Sequence, residues 1–180
     1  MSFFICVKGK VSPYDFDYLS ESLTPRVGQT QIKGAGIVKG STHKPEGKRY
    51  FVIDIKSPDP LTLSPANTIR EALKTIEDKT VHHLPIVIDG LLTGMISDRD
   101  LIDFSHDELD KEIRLHKVMS KVVLACGENT EIKNAAKVMT YENINALAVI
   151  DSEMAFVGLV TSNDILKWVF EEEFLKKAKS

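Results

Sequence analysis

The sequence has few of the features that mark secreted, membrane-bound or nucleic-acid-binding proteins. Its 180 residues include only two cysteines, Cys6 and Cys126, which lie far apart and lack metal-binding spacing, so we expect buried or inert thiols. No apolar run approaches the roughly 18 residues of a membrane span, and residues 1–7 are too short for a signal peptide. The net charge of −3 gives no electrostatic case for nucleic acid or an anionic membrane. These absences indicate a cytoplasmic globular protein.

The first 56 residues also lack the patterns of an enzyme. They contain Cys6, His43 and scattered acids, but no nucleophile-and-base pattern and no metal-ligand spacing. The glycine-rich stretch 33–40 does not end in Gly-Lys-Ser/Thr, and no helix clearly follows it. A glycine turn beside a strand therefore explains it better than a phosphate-binding loop.

The same 56 residues differ in composition from the rest of the chain. Phe3 to Val7 and Tyr50 to Ile55 are β-rich and predict strands, and Ser12 and Pro13 belong to a series of turn formers between them. The segment is long for a linker. We expect a small strand-and-loop extension, residues 1–56, docked on the main body.

The remainder of the chain contains one pattern twice. In the first copy, Leu84–Ile88 is apolar, Asp89-Gly90 is a strong hairpin signal, a return strand runs to Ile96, and a helix begins at Ser97. The second copy begins at Leu147, and a helix begins at Thr161. Each is preceded by one apolar helical face: Ile69, Ala72, Leu73 and Ile76, then Ile132, Ala135, Ala136 and Met139.

The spacing of the two copies indicates an internal repeat. Leu84 and Leu147 are 63 positions apart, whereas Asp100 and Asp164 are 64 apart. The single inserted residue therefore falls in the hairpin turn, where an insertion costs least. A repeat explains this constant spacing better than chance does.

The segments outside the two copies are less informative. Residues 105–117 are highly charged and predict a solvated helix or linker. The last helix continues past Thr161, and its cluster Glu171-Glu172-Glu173 is typical of a solvated face. Phe170 and Phe174 on this helix are candidates for a partner surface.

Each copy ends in Gly, two apolar residues, Ser or Thr, two residues, and Asp. One interpretation is structural: Ser97 or Thr161 caps a helix, and Asp100 or Asp164 lies at its third position. The other is functional, because a helix N-terminus and a hydroxyl suit a phosphate, and a carboxylate one turn later can accept both ribose hydroxyls. A glycine before this motif would let a ligand approach the strand closely. For either motif alone the structural interpretation is favoured, and the functional one stays open.

At these residues the sequence resembles a pair of cystathionine-β-synthase-type (CBS) domains, the Bateman module. The resemblance covers residues 57–170 and is carried by Ser64-Pro65 to Ala72, His83 to Val87, Gly94 to Leu101, Asn145 to Leu147, Val149 to Asp151 and Gly158 to Asp164. It implies an α/β (α+β) fold of two β-α-β-β-α units, packed as a pseudo-twofold pair with two clefts between them. The expected division is residues 1–56, an extension; 57–104, the first CBS domain; 105–117, a linker; 118–170, the second CBS domain; and 171–180, the end of the last helix.

The resemblance also implies an adenosine-containing ligand. It places ribose at Asp100 and Asp164, and phosphate near the pair that precedes Leu-Pro, here His82 and His83. On the residues alone, a polar residue at a strand start is the better explanation of His82, and only with the resemblance do the two interpretations become comparable. The full set expected to contact ligand is Thr62, His82, His83, Pro85, Ser97, Arg99, Asp100, Asn145, Ala146, Thr161, Asn163 and Asp164.

The two clefts are expected to differ. The first has His82, His83 and Arg99 for phosphate, whereas the second has Asn145 and Ala146 at the matching positions. The first cleft should therefore prefer the more highly phosphorylated ligand, and its phosphate affinity should rise as the pH drops from about 8 to about 6.

The expected function is a stand-alone regulatory module that senses adenine nucleotides (AMP, ADP or ATP). The resemblance implies that it needs no cofactor or metal, has no catalytic residues, forms a homodimer, and acts on an unknown regulated protein. The alternative is a scaffold whose paired units dimerise with vestigial clefts. An enzyme is the least favoured of the three classes.

Overall fold

The computed structural model describes residues 3–20, 48–57, 59–102, 104 and 112–172. The glycine-rich stretch 33–40, residues 105–111 of the expected linker, and Phe174 lie outside the described residues. No helix among the described residues is long and apolar enough to cross a membrane.

The N-terminal residues form a hairpin of β1 (Phe3–Val7) and β2 (Lys10–Tyr14), followed by the short helix α1 (Asp17–Ser20). Lys8 and Gly9 make the turn, with φ of 51° and 81°. The strand predicted at Phe3 to Val7 is confirmed. The turn predicted at Ser12 and Pro13 is wrong, because both lie in β2. This strand is the edge of its sheet, where the missing amide of a proline costs no ladder bond.

The two repeats have the same order of elements. The first contains α2 (Ile69–Lys79), β3 (His83–Ile88), β4 (Leu91–Ser97) and α3 (Asp98–Leu101). The second contains β5 (Val122–Gly127), α4 (Ile132–Tyr141), β6 (Ala146–Ile150), β7 (Phe156–Thr161) and α5 (Ser162–Phe170). One sheet has the order β2-β1-β5-β6-β7, and β3-β4 forms the other. The expected α+β fold of two units is confirmed.

Residue pairing shows that the repeat is structural. Cys126 of β5 pairs in parallel with Val149 of β6, and 63 positions earlier Leu63 forms a parallel bridge to Ile86. In the first unit, a single bridge at Leu63 thus takes the place that the strand β5 has in the second unit. Pro60 occupies the position of Val123, which pairs with β1 in the second unit. A proline offers no amide for such a ladder, so the N-terminal hairpin extends the second unit.

The inserted residue lies in the second hairpin turn, as the spacing predicts. Asp89 and Gly90, with φ of 51° and 79°, form a two-residue turn in the first unit. In the second unit, the amide of Asp151 bonds the carbonyl of Ala155 across three residues, and Met154 has a φ of 65°. Both turns therefore use left-handed residues, and the second uses one residue more.

The segment preceding each unit crosses to the other unit. Ser57 bridges to Leu159 of β7, and its counterpart Ser120 bridges to Met95 of β4. A Cβ on Gly158 would lie 2.7 Å from the Ser57 carbonyl oxygen. Gly94 and Gly158 were expected to let a ligand approach the strand backbone. That expectation is wrong, because the crossing segments of the chain itself occupy the space beside both glycines.

The strand predicted for Tyr50 to Ile55 is also wrong, because Val52–Asp54 is a 3₁₀ turn. The Asp54 carboxylate accepts from the Phe51 amide over 3.1 Å, and such local bonds compete with strand formation. Val52 is fully buried and donates to the Thr130 carbonyl.

The same arrangement recurs at the end of the expected linker. Leu115–Lys117 is a second 3₁₀ turn. Leu115 is fully buried, and its amide donates a hydrogen bond to the Asn67 carbonyl. The prediction of a solvated segment is therefore wrong at Leu115. The structural repeat reaches upstream to Tyr50 and Ile113, which accept from Ile132 and Ile69 respectively.

A core between the units joins the two sheets. It contains Phe4 and Cys6 of β1, Leu92 of β4, and buried residues of β5, β6 and β7. The Cys6 Sγ donates to the Leu92 carbonyl oxygen at 2.7 Å, so β1 contacts both units. Cys126 is also buried, and burial raises the pKa of its thiol to about 12. The prediction of buried thiols is confirmed.

Candidate functional site

The first copy of the repeated motif forms a capping box. Ser97 ends β4 in an extended conformation, with φ of −121° and ψ of 165°, so α3 begins at Asp98. The Asp100 Oδ2 accepts from the amide of Ser97 at 2.7 Å and from its hydroxyl at 2.8 Å. The structural interpretation of the motif therefore holds for this copy.

The second copy repeats this geometry at the start of α5. The Asp164 Oδ2 accepts from the Thr161 amide at 2.9 Å and from its hydroxyl at 2.6 Å. In both copies the capping bonds use Oδ2, and no bond from the described residues reaches Oδ1 of Asp100 or Asp164. Capping therefore leaves one carboxylate oxygen available to a ligand in each copy.

Both motifs open into one continuous cleft of about 1030 Å³ between the units. The two expected clefts are thus two halves of a single cavity. The lining is paired by the repeat: every lining residue except Lys167 has its counterpart, 63 or 64 positions away, in the lining as well. The cleft therefore has an approximate twofold symmetry in its positions, although not in its side chains.

The cleft brings together most of the expected ligand contacts. Ten of them line it: His82, His83, Ser97, Arg99, Asp100, Asn145, Ala146, Thr161, Asn163 and Asp164. Thr62 and Pro85 are not in the lining. Thr62 is exposed, and Pro85 is buried within β3, opposite Met95.

Sequence reasoning missed the apolar residues of the cleft. They include Leu61 and Leu124, and Val81 and Ile144, which are two counterpart pairs. Ser57 and Ser120, of the crossing segments, were missed as well. The repeat spacing could have identified these residues, because it aligns each of them with a residue of the same kind, apolar with apolar and serine with serine, 63 positions away. What the spacing did not reveal is that the crossing segments enter the cleft.

The first half of the cleft is organised around a pair of ionisable groups. The His82 Nδ1 lies 2.8 Å from the Asp98 Oδ2, and the other carboxylate oxygen accepts from the Arg99 amide at 2.8 Å. Burial raises the pKa of Asp98, but the bonds from His82 and Arg99 outweigh it and lower the pKa below its ordinary value. An ionised Asp98 is acceptor-only, so the proton of this bond belongs to Nδ1 and Nε2 remains for a ligand.

His83 lies deeper than His82 in the same half. Burial lowers the pKa of its imidazole below the ordinary 6.5, and the nearby Asp98 carboxylate opposes that shift only in part. His83 is therefore mainly neutral at neutral pH in the free protein.

The second half keeps the backbone geometry and loses these charges. The Ser162 amide donates to the Asn145 carbonyl at 2.9 Å, as the Asp98 amide does to His82 at 3.1 Å. Asn145 and Ser162 replace the His82 and Asp98 pair, and Lys167 is the cation of this half. Within the described part of the chain, no cluster of three or more His, Cys, Asp or Glu side chains is arranged to hold a metal ion.

Comparison with known families identifies the two units. The model of the CBS domain family matches residues 52–107 and 113–171. The chain therefore belongs to the CBS domain family, as a CBS domain pair.

Curated relatives share part of the chain. Uncharacterized protein MJ1232 of Methanocaldococcus jannaschii is 32% identical over 116 residues, which are 63% of this chain and 38% of that protein. Homoserine O-acetyltransferase of Methanohalobium evestigatum is 34% identical over 125 residues, 69% of this chain and 24% of that enzyme. CBS domain-containing protein DDB_G0289609 of Dictyostelium discoideum is 32% identical over 66% of this chain and 90% of its own length. The match thus spans well under half of the first two relatives.

Solved structures have the same architecture. The CBS domain pair of protein MJ0100, in complex with 5′-methylthioadenosine and S-adenosyl-L-methionine, is 28% identical with a TM-score of 0.62, over 69% of this chain and 99% of that one. AcuB of Vibrio cholerae is 26% identical with a TM-score of 0.65, over 73% of this chain and 99% of that one.

Proposed function

We propose that the chain is a regulatory module that binds adenine nucleotides, of the AMP, ADP and ATP class, in the cleft between its CBS units. In this role it is a sensor of the cytoplasmic nucleotide pool and is not a catalyst. The observation that carries the proposal is the convergence of both capping-box carboxylates, Asp100 and Asp164, on one cavity, each with an Oδ1 that receives no bond from the described residues. A carboxylate oxygen accepts hydroxyl donors well, and ribose offers two adjacent ones.

The choice of an adenosine ligand has two supports. The apolar residues that flank the carboxylates, such as Leu61 and Ile144, provide a slot for a flat base. The protein MJ0100, whose CBS pair is 28% identical, binds two adenosine derivatives. Groups that can donate to phosphate are concentrated in the first half, at His82, His83 and Arg99, so that half is proposed to take the more phosphorylated ligand.

A ligand regulates such a module only if it binds one arrangement of the units better than another. The continuous cleft, lined by both units and by both crossing segments, would couple occupancy to their relative position. We further propose a homodimer. The repeat-related residues Ile102 and Leu166 are 75% and 66% exposed and offer apolar surface for it.

The competing function is a dimerising scaffold without ligand. It is favoured by the capping boxes, because capping alone accounts for the Ser/Thr and Asp residues of both motifs. The two functions predict different outcomes when ligand is added.

A thermal shift screen with adenosine, AMP, ADP and ATP, supported by mass spectrometry of small molecules released from the purified protein, separates the two functions. Ligand at 100 times its dissociation constant stabilises by about 2.7 kcal/mol, which is a clear shift. A stabilising ligand whose effect is lost in the Asp100→Ala/Asp164→Ala double variant supports the sensor. No shift with any of the four, and no adenine compound released, supports the scaffold.

A further inference from the structure

A second cavity, a groove of about 530 Å³, lies outside the cleft. One wall is the face of α5 and its C-terminal turn that carries Lys167, Trp168 and Glu171, and the other wall comes from residues 48–55. Asp164 and Lys167 line both cavities and form the wall between them. The groove is therefore a candidate site in its own right, separate from the nucleotide site proposed for the cleft.

The floor of the groove is aromatic. The rings of Tyr50 and Trp168 meet edge to face, with centroids 4.8 Å apart, and both pack on the core of the second unit. The Tyr50 hydroxyl donates to the Glu172 Oε2 at 2.6 Å, which ties the two walls together. An apolar part of a ligand can contact this floor without first having to order the walls.

Charges of both signs line the groove with few partners among the described residues. Lys167 and Glu171 lie one helical turn apart, where side chains are neighbours, yet neither side chain forms a hydrogen bond or ion pair within the described part of the chain. The Lys48 ammonium lies over an aromatic ring of the floor at 5.1 Å, and Arg49 makes only a 3.9 Å ion pair with Glu131. Three cations and a carboxylate are thus positioned to bind a ligand.

This combination of charges selects one kind of chemical group. A purely anionic ligand would meet the carboxylates of Asp54 and Glu171, and a plain amine would meet the three cations. An α-amino acid carries an ammonium and a carboxylate on one carbon, so it can satisfy both signs of charge at once. An apolar side chain on the same carbon can contact the aromatic rings.

The groove belongs to one half of the molecule only. At the counterpart positions, Ile113 and Phe104 replace the two aromatic residues of the floor, and both pack on the core of the first unit. The charges differ as well, because Lys117 stands in place of Asp54. An apolar pair is thus sufficient for packing, and the charged groove is an added feature of the second half.

We propose that this groove binds a free α-amino acid with an apolar side chain. Its carboxylate is held by Lys48, Arg49 and Lys167, its ammonium by Glu171, and its side chain by the aromatic floor. The site goes beyond the proposed nucleotide binding and does not rest on it, because it uses a different cavity and a ligand without a nucleoside.

The chain contains its own reporter for this groove, because Trp168 is its single tryptophan. The full chain is titrated with L-leucine, L-methionine and L-phenylalanine, followed by tryptophan fluorescence and by isothermal titration calorimetry. At least one should change the Trp168 emission. It should bind about tenfold tighter or more than its analogue without the ammonium and its analogue without the carboxylate, because bonds to charged groups contribute that much. For L-leucine these analogues are 4-methylpentanoate and 3-methylbutylamine.

Two variants separate the charges of the groove. Glu171→Gln should weaken binding of the amino acid about tenfold and leave that of the analogue without an ammonium unchanged. Lys48→Ala/Arg49→Ala should also weaken binding of the amino acid, but should leave that of the analogue without a carboxylate unchanged. Lys117→Ala is the matched control, because Lys117 is exposed at the counterpart position of the first unit. It should change none of these affinities.

Several results would overturn the amino-acid site. They are no binding of any of the three amino acids, equal binding of an amino acid and its analogues, and affinity that survives both groove variants. Calorimetric binding without a change in Trp168 emission would place the amino acid elsewhere and would overturn the site as well. Binding of ADP in the cleft is measured separately, so its success or failure is distinguishable from each of these results.

Discussion

The His82 Nδ1 lies 2.8 Å from the Asp98 Oδ2, and the repeat places Asn145 and Ser162 at the two counterpart positions. The backbone bond between the same two positions is present in both units. The side-chain bond between His82 and Asp98 is therefore not required to build this corner of the fold. It gives the first half of the cleft an oriented imidazole that the second half lacks.

Replacing His82 by the residue of the second half tests its role in phosphate binding. His82→Asn should weaken ADP binding about tenfold, since it removes a charge-assisted donor, and leave adenosine binding unchanged. Calorimetric titration with both ligands measures this, and Asn145→Ala is the matched control in the other half. Equal loss for adenosine and ADP would mean that His82 does not contact phosphate.

The two carboxylates should not be equivalent. Asp100→Ala should lower ADP affinity more than Asp164→Ala, because the first half alone combines His82, His83 and Arg99 beside its ribose carboxylate. Titrating ADP into each variant measures the difference. Equal loss of affinity in both variants would contradict the asymmetry of the cleft.

The pH dependence of phosphate binding should reflect His83. A bound phosphate stabilises the imidazolium, so the complex holds the proton more tightly than the free protein, and affinity rises as the pH falls between the two pKa values. Because burial lowers the pKa of free His83 below 6.5, this rise continues below pH 6.5.

Protonation of the phosphate near pH 6 opposes the effect, so the comparison must be with His83→Gln. The ratio of wild-type to variant ADP affinity should grow as the pH is lowered from about 8 to about 5.5. A constant ratio across this range would remove His83 from the phosphate site.

The glycines beside the crossing segments should be essential for stability. A Cβ on Gly94 would lie 2.8 Å from the Ser120 carbonyl oxygen and 2.6 Å from the Met119 sulfur. Gly94→Ala should therefore lower the free energy of unfolding by about 1–3 kcal/mol, measured by urea denaturation. Gly90→Asn is the comparison for backbone strain without a clash, since a Cβ there meets nothing within 4 Å but its φ of 79° disfavours any side chain, so it should cost less than Gly94→Ala. A similar stability for both variants would show that the segments can move apart.

Helix capping and ligand binding can be separated with two threonines. Thr68 and Thr161 form the same capping box, but only Thr161 lines the cleft. Each change to alanine should lower the free energy of unfolding by about 1 kcal/mol. Only Thr161→Ala should also weaken adenosine binding in calorimetry. Unchanged affinity in Thr161→Ala would assign this hydroxyl to capping alone.

Much of the fold was predictable because it depends on local patterns. The apolar faces of α2 and α4, the turn at Asp89-Gly90 and the constant spacing of the copies are visible in the chain itself. The pairing of Asp100 with Ser97 was predictable for the same reason, since a capping box is closed within four residues. The incorrect predictions at Pro13 and Leu115 fall where contacts far along the chain decide the conformation. At Tyr50 to Ile55 the local bond between Phe51 and Asp54 adds to a distant contact of Val52 with Thr130.

The repeated motif, its capped helices and the unequal distribution of cations are properties of the residue order, because each depends on neighbours a few positions apart. The single cleft is not. It exists because the segments at Ser57 and Ser120 cross to the opposite units against Gly158 and Gly94, which brings two distant motifs to one cavity. The docking of residues 48–55 beside Asp164 depends on the same tertiary packing, and it gives two equivalent motifs different surroundings.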